Sequence, residues 1–203
     1  MITFFTYPGP NSRKAQIMLE ESGEAYRTQT IDITKGEQFD PKYLEISPNN
    51  KIPAIVDEGP QEKVAVFETG AILIYLAEKS GRLLPPSGAA RADTLAWLFW
   101  GTGALGATLP QLHHYADLAQ RIPGTVERFG TEAVRLFNVL ERRLSQREFI
   151  CGEYSIADIP SFCSTAGWLG RVKQLSDGKL GDTPSIDRWL KAVAQRPAVQ
   201  RVG

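Results

Sequence analysis

The stretch Asn50-Lys51-Ile52-Pro53-Ala54-Ile55-Val56-Asp57 decides how the rest of the chain is read. Ile-Pro-Ala-Ile-Val has the composition of a short buried strand, yet a proline stands near its start. Proline has no N–H for a sheet ladder, so it is tolerated at a strand's first residue or on an edge. The backbone N–H and C=O of Ile52 are then left without an obvious partner inside the fold. A cis Ile52–Pro53 bond would turn both groups outward, where an extended peptide ligand could pair with them as an added strand. The alternative is a trans proline in a tight turn, the commoner geometry, since only about 5–6% of X–Pro bonds in folded proteins are cis.

Upstream of this stretch, Ile2 to Thr6 reads as a β run broken by the turn residues Tyr7-Pro8-Gly9-Pro10-Asn11. Asn11 is a suitable N-cap for a helix whose apolar face is Ala15, Ile17, Met18 and Leu19. That helix should end near Ser22, with Gly23 as its stop. Tyr26 to Ile33 alternates like a strand, and Asp40-Pro41 is a cap-then-proline start for a brief helix through Tyr43, Leu44 and Ile46. Downstream, Pro53–Asp57 and Val64–Phe67 form a hairpin across Glu58 to Lys63, which contains Gly59-Pro60. Glu68-Thr69-Gly70-Ala71 then opens an apolar helix that Gly81 stops. The order β-α-β-α-β-β-α predicts a small domain over residues 1–80. Its first two strands should be parallel and its closing hairpin should make the four-stranded sheet mixed.

Residues 81–88, Gly81-Arg82-Leu83-Leu84-Pro85-Pro86-Ser87-Gly88, read as a linker, and from 89 to 203 no convincing strand appears. Arg91 to Tyr115 is helical, with the glycine-rich middle Gly101 to Gly106 predicting a bend or a close helix contact. Pro123 is expected to open a helix through Leu144. Ser155 with Asp158 forms a capping box, with Tyr154 and Ile159 at staple positions, for a third helix. Pro184-Ser185 opens a last one.

The 203 residues suit one large or two small domains, and 23 basic residues balance 23 acidic ones, so nothing favours nucleic acid or an anionic membrane. No apolar run approaches the roughly 18 residues that span a bilayer, and no signal peptide is expected at the N-terminus. Cys151 and Cys163 form no C-x-x-C, which fits a reducing cytoplasm. His113 and His114 point about 100° apart on a helix and do not suit one metal, so no metal site is expected. Cys163 reads as a core thiol. Trp97, Phe99, Trp100, Leu105 and Tyr115 read as core, with a subset suited to an apolar second-substrate pocket between the domains.

A small α/β domain, a proline linker and a helical domain resemble the cytosolic glutathione transferases, whose N-terminal domain is thioredoxin-like. The resemblance covers nearly the whole chain and rests on Asn50-Lys51-Ile52-Pro53-Ala54, Glu68-Thr69-Gly70-Ala71-Ile72 and Ser155-Ile156-Ala157-Asp158, in order and at the family's spacing. Pro10-Asn11, Gly36-Glu37-Gln38-Phe39, Ile46 to Asp57 and Trp97-Leu98-Phe99-Trp100 look like the bacterial nu class, glutathione-dependent disulfide-bond oxidoreductases. The chain departs from that class at Gly9, where a Thr near the glutathione sulfur is usual. Thr69 replaces a Ser, and Pro110 stands in a Gly stretch.

The resemblance implies a glutathione site. Glu68 would pair with the γ-glutamyl ammonium, and Thr69 would bind the adjacent carboxylate at a helix start. Ile52, set by Pro53, would pair with the cysteinyl unit, while Lys51 and Gln38 would hold the glycyl carboxylate. Asn11 is placed to donate its amide to the sulfur, with Tyr7 and Ser12 as competing hydroxyl donors. Glu68 could instead be a plain helix-end charge and Asn11 a plain N-cap. The family's two-fold homodimer implies that Arg128 reaches glutathione across the interface. A solvated Arg128 paired with Glu132 at i,i+4 is the other reading. The implied partners are glutathione and a small electrophile or disulfide, without nucleic acid or membrane. A non-catalytic ligand-binding or scaffold protein on the same fold is the alternative. The absence of any cysteine before Cys151 speaks against a protein thiol forming the mixed disulfide.

Overall fold

The computed structural model describes residues 1–59, 61–120, 122 and 124–202. Its contacts divide the chain into one unit of Met1–Pro86 with Pro197–Gly203 and a second of Ser87–Arg196.

The first unit is built on a four-stranded sheet in the order β2-β1-β3-β4. Strands β1 (Ile2–Thr6) and β2 (Tyr26–Thr30) run parallel, joined by helix α1 (Pro10–Ser22). Strand β3 (Ala54–Asp57) is antiparallel to both β1 and β4 (Val64–Phe67), with Ala54 opposite Phe5 on one side and Phe67 on the other. Because side chains alternate along a strand, Phe5, Ala54 and Val56 share one face. There they pack with Ile31 and Tyr43, which comes from the short α2 (Pro41–Leu44). Ile2, Phe4 and Ile55 have the opposite parity and are fully buried. Helix α3 (Thr69–Ser80) packs on α1 and against β3 and β4. Asp40 caps α2 by accepting from Lys42 N at 2.8 Å, as the Asp-Pro pair predicts. Gly23 and Gly81 end α1 and α3 in the left-handed region that their lack of a Cβ allows.

Three local expectations change. The strand expected from Tyr26 to Ile33 stops at Thr30; Ile31 makes one last backbone bond, to Thr6 O at 2.9 Å, and its side chain enters the core beside Tyr43. Ladder pairing in β3 starts at Ala54 rather than Pro53, the residue without an N–H. Gly9, not Asn11, is the N-cap of α1, because Pro10 takes the first helical position and places Asn11 inside the first turn.

The second unit is helical: α4 (Gly88–Phe99), α5 (Gly106–Ala116), α6 (Thr125–Leu144), α7 (Asp158–Leu175) and α8 (Pro184–Ala194). The predicted Arg91–Tyr115 helix is α4 and α5 joined by a π-helical turn, Trp100–Leu105, and α5 continues through Pro110. A Cβ at Gly101 would lie 2.5 Å from Ser161 Oγ, so the glycine lets this turn close on α7. One arm of the Ser155–Asp158 box forms, from Ser155 N to Asp158, while Ser155 Oγ accepts from Ala157 N at 3.3 Å and α7 itself begins only at Asp158. Asp158, fully buried, accepts from Ser155 N (2.9 Å), Ser155 Oγ (3.2 Å), Ile150 N (3.0 Å) and Trp189 Nε1 (2.9 Å). Burial pushes its carboxyl up, against the pull of those donors.

Helix α6 begins at Thr125; the expected opener Pro123 and the turn residue Pro60 lie outside the described residues. The helical region was read as 89–203, but its last helix, α9 (Pro197–Val202), packs on α1 in the first unit. Arg201 there pairs with Glu20, which also accepts from Tyr26 Oη at 2.7 Å. No helix among the described residues is long and apolar enough to cross a membrane.

Candidate functional site

The Ile52–Pro53 peptide is cis. Among the described residues, the N–H and C=O of Ile52 have no hydrogen-bond partner. The turn before it is held from beneath, since Tyr43 Oη (2.7 Å) and Ser47 Oγ (2.9 Å) both donate to the carbonyl of Lys51. Burial pushes the Tyr43 hydroxyl up to about 12, so it stays a donor throughout the physiological range. Asn50 carries a positive φ of 49°, which turns the chain sharply into Lys51.

Across from this turn, Glu68 links β4 to α3 with φ 68° and ψ 126°, an unusual backbone for a residue with a side chain. Its carbonyl accepts the first α3 bond from Ile72 N at 2.9 Å. Its exposed carboxylate takes one contact, from Asn49 Nδ2 at 3.2 Å. Thr69 is the first residue of α3, a helix long enough to present free N–H groups and a positive dipole end at this point.

These elements enclose a cavity of about 280 Å³ lined by Asn11, Ser47, Asn49, Lys51, Ile52, Pro53, Phe67, Glu68 and Thr69. The structure therefore brings six sequence-predicted residues together: Asn11, Lys51, Ile52, Pro53, Glu68 and Thr69. The walls offer an anion at Glu68, a cation at Lys51, a helix N-terminus at Thr69 and an unpaired peptide edge at Ile52. Such a set suits an extended peptide that carries an ammonium and a carboxylate close together at one end and a second carboxylate at the other.

Four predicted residues do not line this cavity. Gln38 sits in a 3-10 turn, Glu37–Phe39, with its Oε1 buried and unpartnered. Tyr7 is half-buried in the loop before α1. Ser12 is buried and its hydroxyl has no partner among the described residues. Arg128 lies exposed on α6, in the second unit. The alternative pairing with Glu132 is absent, because Arg135 takes both Glu132 oxygens at 2.7 Å. An exposed guanidinium without an ion pair among the described residues is the result.

Sequence reasoning missed Asn49, Ser47 and Phe67 as lining residues. Asn49 and Ser47 stand in a polar turn, where nothing in their type separates a lining residue from a solvated one. The pattern Ser47-Pro48-Asn49-Asn50-Lys51 reads as loop chemistry alone. Neither cysteine competes for a role in this cavity. Cys163 is buried, and burial pushes the thiol of the half-buried Cys151 up. His113 pairs with Asp117 at 3.0 Å, and no group of three potential metal ligands occurs among the described residues.

Comparison with known proteins follows the same division of the chain. Residues 1–78 match the family model for the glutathione S-transferase N-terminal domain, and residues 125–197 match the one for the C-terminal domain. The chain is 44% identical over 203 residues to the disulfide-bond oxidoreductase YfcG of Escherichia coli (strain K12), covering 98% of this chain and 92% of that one. Among solved structures, a glutathione transferase family member from Pseudomonas fluorescens pf-5, with two glutathione bound, superposes with a TM-score of 0.91. It is 39% identical and covers 99% of this chain and 91% of its own. A glutathione transferase from Pseudomonas putida, with one glutathione disulfide bound per subunit, gives a TM-score of 0.91 at 36% identity. It covers 99% of this chain and 90% of its own.

Proposed function

Because the chain belongs to the glutathione S-transferase family, with both of that family's domains matched, we propose that its cavity binds glutathione and uses the bound thiolate as a nucleophile toward disulfides. The unpaired peptide edge of Ile52, facing a cavity with Glu68 and Thr69 on the other wall, is the observation that carries this reading.

Each group has a part that its chemistry supports. Glu68 pairs with the γ-glutamyl ammonium. Thr69, with the first N–H groups of α3, holds the neighbouring carboxylate. Ile52 exchanges two backbone hydrogen bonds with the cysteinyl unit, as an added strand would. Lys51 takes the glycyl carboxylate, and Gln38, whose Oε1 has no partner among the described residues, is assigned to the same carboxylate. Asn11 donates its amide to the sulfur at the start of α1, where the helix end lowers a thiol pKa. Arg128 has no ion pair among the described residues, since Arg135 occupies Glu132, which supports its reaching the glutathione of a second copy in a two-fold homodimer.

The reaction is thiol–disulfide exchange. The bound glutathione thiolate attacks one sulfur of a disulfide, forming a mixed disulfide and expelling the other sulfur as a thiolate that takes up a proton. A second glutathione thiolate then attacks the glutathione sulfur of the mixed disulfide, yielding glutathione disulfide and the second free thiol. No protein cysteine is consumed, which agrees with the raised Cys151 thiol and buried Cys163. Of the similar structures, one holds two glutathione molecules and another a glutathione disulfide, the reactant and the product of this exchange. A cytoplasmic location, where glutathione is reduced, fits this chemistry.

The paired test measures glutathione-dependent reduction of a small disulfide beside conjugation of glutathione to a chlorinated nitroarene. Turnover of the disulfide is expected to dominate. Activity in neither assay, with no glutathione binding by calorimetry, would return the chain to the non-catalytic reading.

A further inference from the structure

Lysine 14 is an unexpected residue to find buried. It is 4% exposed on α1, one turn beyond Asn11, and its Nζ donates to Asn11 Oδ1 at 2.9 Å. An ammonium has donors only, whereas a side-chain amide has one acceptor end and one donor end. A lysine against the amide therefore settles which end is which. The oxygen turns to Lys14, and the NH₂ is left for the cavity that Asn11 lines.

We infer that Lys14 is a positioning residue for the reacting sulfur: it locks the Asn11 amide with its NH₂ toward the cavity, so that a thiolate there meets a donor rather than a carbonyl oxygen. The inference rests on the glutathione reading of the cavity. An unrestrained asparagine can present either end to a ligand by rotating half a turn. Only the NH₂ end stabilises an anion, and the oxygen end repels it. A charge-assisted bond is stronger than a neutral one, so the bond to Lys14 biases this choice before any ligand arrives. The same ammonium adds a fixed positive charge beneath the first turn, in the direction the helix end already acts. Lys51 and Glu68, the charged residues that line the cavity, belong to elements other than α1, which carries Lys14.

The test compares Lys14→Met, Lys14→Arg and Asn11→Asp in the full chain with reduced glutathione as the probe. Three quantities are read: glutathione affinity by calorimetry, the ultraviolet thiolate band of the bound tripeptide at neutral pH, and kcat for disulfide reduction. Lys14→Met should lose about tenfold in kcat and most of the thiolate band, while affinity stays within about threefold, because the rest of the tripeptide is held elsewhere. Lys14→Arg keeps a donor and should restore the band. Asn11→Asp keeps the acceptor for Lys14 but offers the sulfur only oxygen, so it should lose at least as much as Lys14→Met. A parent-like band and kcat in Lys14→Met overturn the inference. Should Lys14→Met fail to fold, an Asn11→Asp protein with the parent's band overturns it equally. A parent protein that binds no glutathione would instead remove the reading of the cavity, a distinct result.

Discussion

Glu68 and Asp158 are both acids at the start of a helix, and their surroundings set them apart. Asp158 is sealed from water and meets donors from Ile150, Ser155 and Trp189, so the interior of the second unit answers its carboxylate completely. Glu68 is exposed and has a single 3.2 Å contact from Asn49. It stands beside a peptide edge at Ile52 that nothing in the described chain completes. Two of the non-glycine residues at positive φ, Asn50 and Glu68, stand next to or within the lining of the cavity. A polar group whose partners all come from the chain is holding the chain together. One held in place but left unpaired is set up for a ligand.

The largest expected effect breaks the sealed side. Asp158→Ala leaves four buried donors unmet, at about 1–3 kcal/mol each, so chemical denaturation should show a loss of roughly 4 kcal/mol or more. A loss below about 1 kcal/mol would mean that the node is not structural. On the open side, Glu68→Ala should leave the unfolding midpoint nearly unchanged while weakening glutathione by about 1.5–3 kcal/mol, tenfold or more in Kd. Unchanged affinity in calorimetry would reduce Glu68 to a helix-end charge.

Asp57 sharpens the comparison through pH. Its carboxylate accepts from Lys79 (2.8 Å), Tyr75 (2.9 Å) and Gly59 N (2.8 Å). Burial alone would push its pKa up, but these partners together bring it below the ordinary value. A depressed folded pKa contributes stability that is complete above the unfolded value, about 4, and is lost as pH falls through the lower folded value. Asp57→Asn should therefore be less stable than the parent at neutral pH, by about 1–2 kcal/mol, with the gap closing in acid. Parallel stability curves down through that acid range would contradict it.

Much of the first unit was legible because punctuation residues act locally. Gly23, Gly81 and Asp40-Pro41 end or begin helices through backbone geometry that needs no tertiary partner. Helix α9 was not legible. The six residues Pro197–Val202 carry too little periodicity, and the helix is supported from α1 through Arg201 and Glu20. Within the cavity, Lys51, Ile52, Pro53, Glu68 and Thr69 belong to two short motifs, so reading either motif yields several wall residues at once. Lys14 was hidden for the opposite reason. A lysine in a helix reads as solvated, and only the packing of α1 shows it buried beneath Asn11.

Gly9 gives the smallest expected effect. Its φ of 164° is ordinary extended backbone, and a Cβ there meets nothing within 4 Å. Gly9→Thr should therefore fold as the parent does and place a hydroxyl at the mouth of α1, raising disulfide reduction by about two- to fivefold, roughly the value of one exposed neutral hydrogen bond. No change in kcat would mean that the hydroxyl does not reach the sulfur.

Amide NMR of Ile52 during a glutathione titration tests the account most directly. The N–H that lacks a partner in the free chain should shift downfield and become protected from hydrogen exchange at saturation, together with the amide of Thr69. Saturable glutathione binding that leaves both amides unshifted and unprotected would contradict it.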